Sequence, residues 1–459
     1  CAGQVDDACG VCGGDGSSCQ PDGGGGTSGD SFALESPAIV GFVTDTEGNG
    51  LFGAQVTAAA QQTTTDSVGA FVLDKIEVGS DIDVFTQLDG YTMGHTRVSV
   101  GADQTVAVTI SLLATEKKTL VVGVDDSTLE TSEGLTLVLP GSGVVDADGQ
   151  PVLNTPIVVE YAVLNTADDI AAAPGDMMAM SEGQVGGLES FGMVEVKLFG
   201  PGGDPLWLDG PAELSFPLSE SNPYSNGQEI GLYSFSEDSE YWTQEGTGVV
   251  QDGVFHATVT HFSWWNADIP RENHCIQSQV LGPDGSPAAG AWLESVGINY
   301  LGKATATANE DGDFCIYAKR DGEARITTSV VYGNVSYKGE ATVSLPDVAA
   351  TCDDGCITLP PVALQPLFAW DCSGVDDDTP CQHHNPCQIG TVCKGGVCES
   401  TAKPDGIQCD DRDDCTSLSI CKEGLCVGSG SGAEEGDGCH WVTILPGSFT
   451  MGSIGPFAN

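Results

Sequence analysis

The sequence predicts an all-β protein, a string of β-sandwich domains joined to small disulfide-stapled, cysteine-rich modules. Three observations predict it: short runs that alternate apolar and polar residues, turns rich in glycine, aspartate and asparagine between them, and cysteines gathered near the two ends of the chain. Alternation with period two puts every second side chain on one face of a strand, and turn signals at close spacing fold such strands into sandwiches.

The chain has 459 residues, enough for several domains. Fifteen basic residues against 66 acidic ones leave a net charge of −51. That balance repels phosphate backbones and anionic membrane surfaces, so nucleic acid is excluded as a partner class. The charge reads either as a solvated acidic surface or as carboxylate clusters that take a divalent cation. No run of about eighteen apolar residues occurs, and membrane insertion is not expected. The chain starts at Cys1 without Met or a signal peptide and stops at Asn459 within a strand-like run, so both ends read as truncated.

Residues 1–31 form a cysteine-rich segment with Cys1, Cys9, Cys12 and Cys19, followed by a Gly-rich linker. It resembles the Cys-Gly-Val-Cys-Gly-Gly-Asp-Gly repeats of large bacterial surface proteins. Residues 36–114 carry alternating runs such as Ile39–Val43 and Val106–Leu112, the pattern of a small sandwich.

A second segment, 271–365, repeats its landmarks. Val43, Gly48, Gly53 and Ala54 recur as Val280, Gly285, Gly290 and Ala291, each 237 residues later. Gly69, Phe71 and Gly79 recur as Gly312, Phe314 and Gly322, each 243 later. The glycines admit the positive φ of hairpin turns, and the phenylalanine fills the core beside one. Both segments resemble the carboxypeptidase-regulatory-like domain, a transthyretin-like sandwich, through residues 43–54 and 309–314. In that family the module is an accessory without shared catalytic residues. Cys275 and Cys315 of the second copy are placed to staple its first strand to the strand after the turn.

Between the copies, residues 115–270 show longer runs at Leu135–Leu139, Ile157–Tyr161, Met193–Lys197 and Phe255–Trp265, and no cysteine. A larger sandwich held by apolar burial is expected. It resembles the sandwich of cartilage intermediate layer proteins and its relatives in ankyrins and netrin receptors, on residues 137–140, 173–176, Tyr241-Trp242 and 260–266. Residues 371–428 hold two 28-residue units, in which Cys381, Cys387, Cys393 and Cys398 recur as Cys409, Cys415, Cys421 and Cys426. Such small units need disulfides in place of a core, two in each, with three connectivities open per unit. Cys352 and Cys356 complete the candidates for disulfide bonding. After a Gly/Ser linker, residues 429–459 resemble, at Trp441–Ser453, the opening of the formylglycine-generating (sulfatase-modifying factor) fold; the resemblance implies a further domain downstream.

The sharpest chemical motif is His261-Phe262-Ser263, which matches the self-cleavage site of some relatives of the middle sandwich. There the serine hydroxyl attacks the preceding carbonyl and the histidine takes its proton. In one continuous strand from Phe255, His261 and Ser263 would share a face about 7 Å apart, and attack would need a kink at Phe262. Acidic clusters at Asp6, Asp7 and Asp15, at Asp376, Asp377 and Asp378, and at Asp410 and Asp411 are candidates for calcium, the one cofactor the sequence suggests. Asp125-Asp126 and Asp353-Asp354 are further acidic turns. His95, His256, His274 and His440 stand isolated in sequence and read as structural. Gly-x-Ser-x-Gly, His-Glu-x-x-His and phosphate-loop patterns do not occur.

The reading is a non-catalytic extracellular or cell-surface scaffold that contacts glycans or other surface or matrix proteins, with Trp207, Trp242, Trp264, Trp265 and Trp292 as the aromatic platforms for sugar. The alternative is an accessory region of an enzyme whose catalytic domain follows Asn459.

Overall fold

The computed structural model describes residues 36–428 apart from 67, 182–183, 221, 236–240, 333–334, 370–371, 373, 382–387, 405–407, 410–418 and 423–424. The segments 1–31 and 429–459 lie outside the described residues, as do Asp6, Asp7, Asp15, Asp410, Asp411, Cys387, Cys415 and His440. The described residues up to Cys381, with Val392–Cys398, belong to one compact unit and the remainder to a second. In the second unit Gln408–Cys409, Ser419–Lys422 and Leu425–Gly428 make a three-stranded sheet in which Cys421 lies opposite Cys426. The fold is all-β. The one helical element among the described residues is the 3-10 turn Asp169–Ala172.

The first unit contains three sheet bodies. In the first, β1 (Ala38–Asp45), β2 (Gln55–Ala58), β3 (Gln61–Thr64), β4 (Ala70–Leu73), β5 (Gly79–Gln87), β6 (Gly94–Val100) and β7 (Thr105–Leu112) form two sheets, ordered β4-β1-β7 and β3-β2-β5-β6. β1 runs antiparallel to β4 and parallel to β7. Ile39, Val43, Val56, Phe71, Val84 and Val108 fill the space between the sheets.

The third body repeats this plan. Asn273–Gln279 lies antiparallel to Asp313–Lys319 and parallel to Ile357–Thr358, facing a sheet that starts Lys303–Thr307, Trp292–Gly297, Glu323–Tyr332, Val335–Ser344. The repeat extends to single hydrogen bonds. Val43 N donates to Gly69 O and Val280 N to Gly312 O, both at 2.8 Å. Gly69 N donates to Asp66 O and Gly312 N to Asn309 O, both at 2.9 Å. Gly69 and Gly312 have φ of +77° and +74°, and a Cβ on either would lie 2.3 Å or 2.5 Å from the carbonyl of Val43 or Val280.

Between these, residues 116–271 make a sheet system around a core that includes Leu137, Val159, Tyr161, Phe216, Phe255 and Trp265. The expected strands at 135–139, 157–161 and 193–197 appear as Thr136–Leu139, Thr155–Leu164 and Gln184–Phe199. The expected single strand Phe255–Trp265 does not. It is two strands, Val254–Val259 and Trp264–Arg271, joined by a corner at 260–263. The first half pairs with Ala212–Pro217, the second with Gln184–Phe199 and Glu229–Phe235, so the chain changes neighbours at the corner. Phe255, Ala257, Val259, Trp265 and Ala267 nevertheless all enter the same core, so the inward alternation survives the bend.

The bodies share cores. Trp292, from the third body, is buried in the core of the first. Met93, Leu164, Phe235, Trp242, Trp264 and Leu301, drawn from all three, form one cluster. On the outer face of the β4-β1-β7 sheet, Val40, Ala70 and Ala107 pack on Phe368 of the strand Leu364–Ala369, whose ring meets Phe42 edge-on at 5.3 Å. Adjacent Trp264 and Trp265 serve different cores, because neighbouring strand residues face opposite ways.

The disulfides correct two expectations. Cys275 bonds Cys356 and Cys315 bonds Cys352. A direct Cys275–Cys315 staple is not formed, because the register sets Cys315 opposite Gln277 and Cys275 opposite Tyr317. Cys381 bonds Cys398, but Cys393 bonds Cys372, so the first repeat does not close two disulfides on its own four cysteines. Cys372 lies upstream of the 28-residue spacing and was not singled out by it.

The turn geometry makes a test. Gly69→Ala and Gly312→Ala each combine left-handed strain with a carbonyl clash and should cost roughly 1–3 kcal/mol. Gly48→Ala has the same sign of φ (+85°) but open space around the new methyl, and should cost less. Thermal midpoints of the three variants check the order; equal losses would count against the close approach.

Candidate functional site

Where the bodies meet, the shared apolar core is bordered by polar groups. In β5 and β6 the outward positions are Asp83 and Phe85 opposite Arg97 and His95. Period two therefore presents two aromatic and two charged residues to the neighbouring bodies. His95 Nε2 donates to Asp83 Oδ1 at 2.9 Å, and Arg97 Nε donates to the same oxygen at 3.0 Å. Burial alone would raise the Asp83 pKa, but the hydrogen bonds from His95 and Arg97 and the Arg97 charge hold it below the usual value. His95 is buried among Phe85 and Phe235, so it is a junction residue and not isolated.

Asp176 of the middle body faces the same junction and accepts from Thr305 Oγ1 of the third body at 2.8 Å. Burial pushes its pKa up, with Thr305, Lys303 and His95 opposing. Lys303 donates to the carbonyl of Ala171 at 3.2 Å and lies 3.8 Å from Glu294, whose pKa burial also raises. A cleft of about 650 Å³ opens here, lined among others by Arg97, Gln104, Asp176, Tyr241, Thr305 and Asn309. All three bodies contribute to it.

A second cleft, of about 1100 Å³, lies between the first and middle bodies and is lined among others by Glu160, Glu195, Lys197, Phe262, Ser263 and Trp264. Glu195 Oε1 accepts from Lys197 at 3.0 Å and from the Met93 amide at 3.4 Å; burial raises its pKa. A third polar cluster sits between the middle and third bodies. Asp268 is fully buried, and neither carboxyl oxygen has a hydrogen-bond partner among the described residues. The Ser190 hydroxyl near it donates instead to Asn266 Oδ1 at 2.6 Å, while Arg271 stacks over the Tyr300 ring.

The sequence motif His261-Phe262-Ser263 occupies the corner at 260–263. His261 Nε2 donates to Glu245 at 3.0 Å, its ring stacks on Trp265, and Ser263 Oγ donates to the carbonyl of Trp264 at 3.1 Å. The kink the motif requires is present, but in this arrangement the imidazole is engaged by Glu245 and not by the Ser263 hydroxyl. A Ser–His contact does form elsewhere among the described residues. Ser215 Oγ and His256 Nδ1 lie 2.8 Å apart across paired strands, on an exposed face. His274 donates from Nδ1 to the carbonyl of Val348 at 2.7 Å, a structural role.

The other candidate sites fall in different places. Trp242, Trp264, Trp265 and Trp292 are buried core residues; Trp207 is exposed on the short strand Pro205–Leu208, which lies between Val144–Val145 and Gln184–Phe199. Asp376, Asp377 and Asp378 lie in a turn in which Asp377 accepts from the Gly395 amide at 2.8 Å and Thr379 N donates to the Asp376 carbonyl. Asp126 likewise accepts from the Gly141 amide. What sequence reasoning missed is the junction set of Asp83, His95, Arg97, Asp176, Glu195 and Asp268. Asp83, His95 and Arg97 take the outward positions of β5 and β6, so the local alternation carries no mark that another body covers them.

Comparison with known proteins adds two family matches. Residues 38–113 match the carboxypeptidase regulatory-like domain. Residues 380–428 match a domain of unknown function, DUF7107. No curated relative matches the chain in sequence. Solved structures similar to it include the Bacillus anthracis TIE protein, at 10% identity and a TM-score of 0.17, covering 71% of this chain and 50% of that one. BcpA, the major pilin subunit of Bacillus cereus, gives 12% identity and 0.15, covering 70% of this chain and 97% of its own. The full-length major pilin SpaD from Corynebacterium diphtheriae gives 8% and 0.17, covering 70% and 95%. The chain spans about half the length of the TIE protein. At these TM-scores the likeness carries no functional weight.

Asp268 supplies a pH test. Burial raises its pKa well above the ordinary value, with the Arg271 charge opposing. The folded chain then holds a proton that the unfolded chain releases, so stability present below about pH 4 is lost as pH rises toward the native pKa. Asp268→Asn should melt higher than the parent at pH 8, with the gap shrinking as pH falls toward about 4. A gap that does not change with pH would refute the assignment.

Proposed function

We propose that this chain is a non-catalytic scaffold region of a modular extracellular or cell-surface protein, built to hold its bodies in fixed relation. The observation that carries the reading is the sharing of cores: Trp292 in the core of the first body, and Phe368 on its outer sheet. Independent beads on a flexible string would keep their apolar residues to themselves. Four disulfides between Cys275 and Cys398 add crosslinks suited to an oxidising compartment. Among the described residues no helix is long and apolar enough to cross a membrane.

The packing predicts cooperative melting of the three bodies. Phe368→Ala removes the ring that covers Val40 and Ala107 and should cost about 3–5 kcal/mol. Scanning calorimetry is expected to show one main transition for the parent and an earlier, separate one for the first body in the variant. Separate transitions already in the parent would sink the reading.

Glycan contact is favoured as a second reading by the 650 Å³ cleft, where a tyrosine, an arginine, a carboxylate and two amide side chains converge. Rings and planar polar groups of this kind suit the faces and hydroxyls of a sugar. A glycan array should give hits that Tyr241→Ala weakens at least tenfold; no hits, or hits indifferent to the substitution, would leave the scaffold role alone.

A further inference from the structure

The two disulfides of the third body are neighbours. Asn273–Gln279 is the central strand of its three-stranded sheet, and Ile276 and Ile316 point from that sheet into the core. Cys275 and Gln277 therefore face the other way, and so does Cys315, which lies opposite Gln277. Cys356 immediately precedes the strand Ile357–Thr358 on the other side of the central strand. The register thus brings sulfurs from both edges over one face. Cys275, Cys315 and Cys356 hold their Sγ atoms within 4.8 Å of one another, and Cys315 Sγ is 3.9 Å from Cys356 Sγ although each is bonded elsewhere. That is about the van der Waals separation of two sulfurs, the distance from which a thiolate attacks a disulfide.

Exposure along the four cysteines is graded. Cys352 lies in the exposed turn 351–354, Cys315 and Cys356 are half-buried, and Cys275 is fully buried. We propose that this cluster is a thiol-accepting site, in which an external low-molecular-weight or protein thiol enters at Cys352 and the protein's own disulfide moves inward. In the first step the external thiolate forms a bond to Cys352 Sγ, the Cys352–Cys315 bond breaks, and the electron pair leaves on Cys315 as a thiolate. In the second, Cys315 Sγ bonds Cys356 Sγ, the Cys356–Cys275 bond breaks, and Cys275 departs as a thiolate that takes up a proton. One thiol is consumed, one mixed disulfide and one protein thiol are formed, and no net oxidation occurs. The second step protects the adduct, because Cys315, the sulfur that could expel the external thiol from Cys352, is now bonded to Cys356. The site would join a thiol-bearing partner covalently to the scaffold.

The test uses the full chain. It is incubated with glutathione at pH 8, quenched with acid, treated with N-ethylmaleimide, and mapped by peptide mass. The expected products are glutathione on Cys352, maleimide on Cys275, and a Cys315–Cys356 linked peptide, with label passing from Cys315 to Cys275 as incubation lengthens. Cys352→Ser, a change at an exposed position, is expected without any added thiol to yield a mixture of Cys275–Cys356 and Cys315–Cys356 pairings. The inference is overturned if glutathione adds at Cys352 while label stays on Cys315 and Cys275–Cys356 survives, or if no adduct forms in the folded chain. Neither outcome bears on the calorimetric test of the scaffold.

Discussion

The first body has a sheet that is apolar on both faces, and the rest of the architecture depends on covering it. Ile39 and Val43 of β1 face the sandwich interior, whereas Val40 and Phe42, in the alternate positions, meet Phe368 and its neighbours. A solvated outer face would carry polar residues there. Burying a side chain of this size contributes roughly 1.5–3 kcal/mol, so a body left alone with this face in water would be disfavoured and prone to association. The third body supplies the cover, and the middle body fills the remaining angle with Trp242 and Trp264.

Charges at such a junction cost free energy to desolvate. Asp176, Glu195, Glu294 and Asp268 are each pushed toward the neutral form by burial, and partners such as Thr305, Lys197 and Lys303 only partly offset that. Apolar contact alone tolerates sliding between surfaces. A carboxylate that finds its hydroxyl or lysine in one arrangement only, as Asp176 finds Thr305, penalises the others. The bodies thus gain apolar burial from their tryptophans and a defined mutual geometry from their polar pairs.

Much of this fold was legible in the sequence because strands and hairpin turns are local. The constant shifts of 237 and 243 residues corresponded to matching turn hydrogen bonds, since glycine at positive φ is fixed by its own few neighbours. The break between Val259 and Trp264 was not legible. Inward alternation runs straight through it, and only the change of pairing partner reveals the corner. The junction was hidden for a related reason. Asp83 and His95 are ordinary outward strand residues until another body lies against them, and which outer face receives a neighbour is a property of tertiary packing. Disulfide partners were only half readable: the repeat spacing picked out Cys393 but not its partner Cys372, and strand register decided that Cys275 should reach Cys356 in place of Cys315.

The contact of Phe42 with Phe368 joins points more than three hundred residues apart in the chain, on either side of the middle body. It ties the polypeptide into a closed loop without a covalent bond. Tension applied between the strand at Ala38 and the strand at Leu364 would pass across the interface of the two repeated bodies and bypass the middle one. The large middle sandwich would stay slack until that clasp gave way, so the longest stretch of chain between the two strands is sheltered from pulling.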